Sequence, residues 1–142
     1  MLGHDGGRSH GMKVTRNPPD IHAPLAGYSH QIELSRAERL LALSGQVGMT
    51  ASGEVPEQAD DQFELALANI ARNLDAAGMT AADLIKLTFY LTEPIAPARR
   101  AELLAAVLRG HAPTMTLIYV PALAGPTLKV EIDAWASTDR PG

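Results

Sequence analysis

Between Thr127 and Ser137 the chain reads TLKVEIDAWAS, and Leu128, Val130, Ile132 and Ala134 alternate with Lys129, Glu131, Asp133 and Trp135. A period of two marks a β-strand with one apolar face and one largely charged face. LIKLTFYLT (Leu84–Thr92) repeats the pattern, with Ile85, Leu87, Phe89 and Leu91 set against Lys86, Thr88, Tyr90 and Thr92. YSHQIEL (Tyr28–Leu34), RLLALSGQV (Arg39–Val47) and TMTLIYV (Thr114–Val120) are further strand candidates. The short polar link Ser35–Glu38 predicts that the first two of these form a hairpin. Between Glu57 and Ala77 the period changes: Phe63, Ala66, Leu67, Ile70 and Leu74 make one stripe of a helix, with Gly78 placed to end it. A second helix is expected over Pro97–Arg109, with proline at its start and Gly110 as its stop.

The predicted order is strand–strand–helix–strand–helix–strand–strand. Each helix has one stripe to bury, so both must cover the same face of a single sheet. The opposite face, which should carry Thr88, Tyr90, Glu131 and Asp133, then meets either water or other subunits. Residues 1–12 (MLGHDGGRSHGM) read as a flexible leader, with Met12 an alternative start, and residues 13–142 as one domain. Three prolines in Asn17–Gly27 exclude helix there.

Bulk composition narrows the function classes. A chain of 142 residues is one domain by default, able to bury roughly 70% of its unfolded surface. Sixteen acidic against twelve basic residues give a formal charge of −4, with no basic tract to attract nucleic acid. Cysteine is absent, which excludes disulfides, thiolate metal sites and a cysteine nucleophile and fits a cytoplasmic location. No apolar run approaches the ~20 residues that span a bilayer. His30 and His111 lack metal-ligand spacing, so no metal site is expected from them.

GYSHQ (Gly27–Gln31), LSGQVGMTASGEVP (Leu43–Pro56), the run from Phe63 to Glu93 and KVEIDAWA (Lys129–Ala136) stand in a spacing that resembles the Rid family, the YjgF-type reactive intermediate deaminases. The resemblance spans about Ala23 to Ala136. It implies an α+β, chorismate-mutase-like subunit that assembles as a homotrimer, with the bare sheet faces inside and small-metabolite clefts between neighbours. Deaminating members hydrolyse imines and enamines derived from amino acids, releasing a 2-oxoacid and ammonia, so the resemblance implies no cofactor and no metal.

On that resemblance Glu131 positions or activates a water, while Tyr28, Ser44 and the backbone at Gly45 orient the ligand. Deaminating members carry PAR at the start of the strand after the second helix; this chain has PTM, Pro113–Met115. Met115 therefore stands in the place of the arginine that holds the substrate carboxylate, and Leu117 lies two residues on. A thioether offers neither charge nor donor, and losing a charge-assisted contact costs about 1.5–3 kcal/mol. The resemblance thus implies a metabolite-binding trimer without the usual 2-imino acid deaminase activity. The alternative is an enamine or imine hydrolase in which Arg100, Arg99 or Arg16 replaces the missing arginine.

Each of these residues also has a plainer role open to it. Glu131 is otherwise a solvent-facing strand residue, Ser44 a strand end, Tyr28 a packing residue, and Arg99 and Arg100 a solvated helix face. Met115 and Leu117 are otherwise core or subunit packing. RNA cleavage ranks last, because the chain has no basic aromatic platform.

Overall fold

The computed structural model of the protein describes residues 12–142. The elements run β1 (Met12–Arg16), β2 (Gln31–Ser35), β3 (Arg39–Val47), α1 (Ala59–Ala76), β4 (Leu84–Leu91), α2 (Pro97–Leu108), β5 (Thr114–Tyr119) and β6 (Val130–Thr138). The leader expected over residues 1–12 lies outside the described residues except for Met12, which opens β1.

Four strands form one sheet in the order β3-β6-β4-β5, and both helices pack on one of its faces. The stripe read from the sequence is the buried face of α1: Phe63, Ala66, Leu67, Ile70 and Leu74 are all buried. They meet Leu87, Phe89 and Leu91 of β4 and Val130, Ile132, Ala134 and Ala136 of β6. Phe63 and Phe89 stack with ring centroids 5.5 Å apart, which fixes α1 over the sheet centre. The last turn of each helix closes as expected. Gly78 adopts φ +70 beyond α1, and Arg109 (φ 48) and Gly110 (φ 88) together reverse the chain after α2.

The expected hairpin does not form. β2 pairs antiparallel with β1, Met12 opposite Ser35 and Arg16 opposite Gln31, as a separate two-stranded ribbon. Arg36, in the left-handed region at φ 54, turns the chain out of this ribbon before β3 begins. β3 pairs instead with β6. The stretch Tyr28–His30, expected as strand, is pinned to the start of β5: the Ser29 amide donates to the Pro113 carbonyl at 3.1 Å, and its hydroxyl donates to the Ala112 carbonyl.

Two polar residues of α1, Gln62 buried and Asn69 half-buried, set the positions of the strands that matter below. Gln62 is fully buried and fully used. Its Nε2 donates to the carbonyls of Pro56 (2.8 Å) and Thr127 (3.0 Å), and its Oε1 accepts from the Lys129 amide at 2.8 Å. The start of β6, and with it Glu131, is thereby tied to α1. Asn69 donates to the carbonyls of Val47 and Met49, both at 3.0 Å, and holds the end of β3.

A third polar anchor joins the two ends of the chain. Asp83, 4% exposed, accepts from both Arg140 guanidinium nitrogens (2.8 and 3.4 Å) and from the Thr80 amide (2.9 Å), with Lys13 Nζ 3.9 Å away. Burial alone would push its carboxyl up. The Arg140 and Thr80 hydrogen bonds and the two positive charges outweigh that and hold it below the ordinary aspartate value.

Candidate functional site

The sheet face away from the helices carries the charged side of the alternation. Tyr90 stands opposite Glu131 and Thr88 opposite Asp133 across the β4–β6 ladder, and all four are half-buried. The Tyr90 hydroxyl donates to Asp133 Oδ2 at 3.0 Å. This bond, with burial and the nearby Asp133 and Glu131 charges, raises the Tyr90 phenol above its ordinary value, so it stays protonated as a donor. Glu131 itself has no hydrogen-bond or ion-pair partner among the described residues.

A β-bulge shapes the backbone beside Glu131. Leu43 pairs with Ala134 but Gln46 with Ile132, so Ser44 and Gly45 together stand opposite Asp133 alone. The bulge presses Gly45 against the Glu131 side chain: a Cβ there would lie 2.1 Å from Glu131 Oε2 and 2.6 Å from its Cδ. Only glycine leaves the carboxylate its present place. Ser44 is exposed, and its carbonyl accepts from Gln46 Nε2 at 3.1 Å. Gly45 thus lies against Glu131, with Ser44 next to it in the same bulge.

Met115 and Leu117 belong to the other side. In the parallel β4–β5 pair they stand beside Leu87 and Phe89, on the helix-covered face. Leu117 packs at the edge of the core. Met115 lines a cavity of about 590 Å³ between α2, the start of β5 and the segment Leu25–Gly27, and Arg100 lines it too. Arg100 Nη1 reaches the Ile95 carbonyl at 3.4 Å and meets no carboxylate among the described residues. Arg99 and Arg16 are committed elsewhere: Arg99 pairs with Glu102 and with Asp60 (3.6 Å), and Arg16 with Glu33 at 2.8 Å. Of the three candidate substitutes, the geometry brings only Arg100 beside Met115.

Tyr28 lines neither this cavity nor the surroundings of Glu131; it follows the Leu25–Gly27 segment that lines the cavity. Its hydroxyl accepts from the Leu25 amide at 3.2 Å, and its ring meets His30 edge-on at 5.6 Å. The candidate residues thus fall into two groups, Glu131 with Gly45 and Ser44 beside the bulge, and Met115 with Arg100 around the α2 cavity. Gln62 and the cavity-facing side of α2 were not read as functional from the sequence. A second helical stripe, Ala98, Ala101, Ala105 and Leu108, was the signal for the latter. No cluster of three or more metal-ligating side chains occurs among the described residues, and no described helix is long and apolar enough to cross a membrane.

An α+β subunit with two helices on one face of a sheet is the architecture of the YjgF-type proteins. Residues 20–138 match the family described as endoribonuclease L-PSP, and the chain belongs to that family, the Rid proteins. YyfB of Yersinia pestis, a Rid-family protein of unknown function, superposes with a TM-score of 0.76 at 31% identity, over 88% of this chain and 98% of that one. A RutC family protein of Buchnera aphidicola is 32% identical over 82 residues, 57% of this chain and 62% of its own. TdcF of Escherichia coli, provisionally named a reactive intermediate deaminase, is 37% identical over 51 residues, 35% of this chain and 40% of its own. The matched stretches thus span less than two thirds of these curated relatives. The crystal structure of TdcF with bound serine aligns with a TM-score of 0.62 and 31% identity, over 69% of this chain and 80% of that one.

Proposed function

We propose that the protein is a homotrimer that binds a small metabolite in clefts between neighbouring chains. In this reading it lacks typical 2-imino acid deaminase activity, because Met115 replaces the arginine that would hold the substrate carboxylate. One observation carries the reading. Glu131 and Met115 stand on opposite faces of the sheet, so a ligand that touches both must lie between two chains. The open face is built to be covered: Leu40, Ile118 and Trp135 on it are 58%, 41% and 46% exposed. Serine bound in TdcF supports a ligand of amino-acid size. No cofactor or metal takes part, and the cysteine-free chain is assigned to the cytoplasm.

A second reading is favoured by Arg100, which lines the Met115 cavity without a carboxylate partner among the described residues. There the protein is an enamine or imine hydrolase. Water held by Glu131 adds to the C=N carbon, and collapse of the adduct releases ammonia and a 2-oxoacid whose carboxylate rests on Arg100. Ribonuclease action draws no support from a chain of net charge −4.

The assembly is tested by sedimentation equilibrium. Wild type should sediment at three times the 15.1 kDa chain mass, and the doubly substituted Leu40→Asp, Trp135→Glu chain as a folded monomer. A wild-type monomer at micromolar concentration would overturn the inter-subunit cleft.

A further inference from the structure

The cavity beside Met115 has a chemistry that names its ligand more closely. α2 is apolar on two sides. Leu103 faces the core and is 5% exposed, while Ala98, Ala101, Ala105 and Leu108 line the cavity. Leu25, Leu104 and Met115 complete an aliphatic wall. The volume, about 590 Å³, falls among those of small-molecule pockets, about 300–1,000 Å³.

Against this wall stands one charge. No aspartate or glutamate lines the cavity, and Arg100 is its single permanently charged residue. The other titratable group, His111, spends its Nε2 on the Leu84 carbonyl at 2.7 Å. Arg100 lies in the first turn of α2, where unpaired amides and the helix dipole also favour an anion. Its one recorded bond, 3.4 Å to the Ile95 carbonyl, is long enough to yield to a stronger acceptor. A planar guanidinium matches a carboxylate through two parallel bonds.

Resting on the cleft reading, we propose that this cavity takes an aliphatic monocarboxylate, with its carboxylate on Arg100 and its hydrocarbon body along α2 and Met115. The anchor then comes from the helix rather than from β5. A short 2-imino acid held there would leave the aliphatic wall unfilled, and chain length becomes the basis of selection.

Calorimetric titration of the full chain with hexanoate, propanoate and hexanamide tests this. Each buried methylene is worth about fourfold in affinity, so hexanoate should bind about 60-fold tighter than propanoate. It should also bind about tenfold or more tighter than the neutral amide. Arg100→Gln should erase the difference between hexanoate and hexanamide, in a variant whose far-UV circular dichroism and Tm show that it is folded. Equal binding of acid and amide to wild type, or hexanoate binding indifferent to Arg100→Gln, would overturn the proposal. Failure of hexanoate to bind a protein that sediments as a trimer would overturn the ligand class and leave the assembly standing. Tight, Arg100-dependent hexanoate binding by a monomer would uphold the ligand and overturn the assembly.

Discussion

Glu131 is where one residue's surroundings say most. A strand carboxylate on a solvated surface commonly finds a lysine or a cross-strand partner. Here the neighbours are a tyrosine already committed to Asp133 and a glycine whose missing side chain makes the room. Asp83 is the contrast: nearly as many groups converge on it as a carboxylate can accept, so its role is to hold the fold. Because its folded pKa lies below the unfolded value of about 3.9, its contribution is fully present above that value. It is lost as the pH falls through the folded pKa. Asp83→Asn should therefore lower the Tm by roughly 3–5 °C at pH 7, with the gap from wild type closing as a thermal-melt series passes below pH 4. A gap that persists unchanged at pH 2–3 would mean that the charge is not what matters.

At the scale of elements, the chain turns on close approaches between α1 and the strand ends. Gly48, just beyond β3, lies so near Gln62 that a Cβ would stand 2.5 Å from its carbonyl oxygen and 2.6 Å from its Cα. Those are backbone atoms and cannot swing aside. Gly48→Ala should cost about 1–3 kcal/mol, seen as a lower urea midpoint with an unchanged slope; an unaltered midpoint would show that the helix can shift freely. The sequence displayed the elements through their periods, and α1, β3, β4 and α2 lie within two residues of where those periods place them. Partners were harder to read. β1 is five residues between a glycine-rich stretch and a proline pair, too short to show a period, and without it β2 had only β3 to pair with. The same limit hid the separation of the candidate residues. Alternation assigns Glu131 and Met115 to faces within their own strands, but only the parallel register of β4 with β5 shows that the faces differ.

For the whole molecule, the proposal is that two groups of residues meet across a subunit boundary and that Met115 stands in the place of a carboxylate-binding arginine. Both groups have a physical basis in this fold. The bulge leaves a carboxylate unpartnered among the described residues on one side, and α2 leaves an aliphatic cavity with a single arginine on the other. The most direct measurement couples a dehydratase that makes short-lived imines from serine or threonine to the timed release of 2-oxoacid, with wild type, Met115→Arg and Met115→Arg, Glu131→Ala. The account predicts no acceleration by wild type and a gain with Met115→Arg of about 10- to 150-fold, the worth of one charge-assisted contact. That gain should vanish when Glu131 is also replaced. Acceleration by wild type would contradict it.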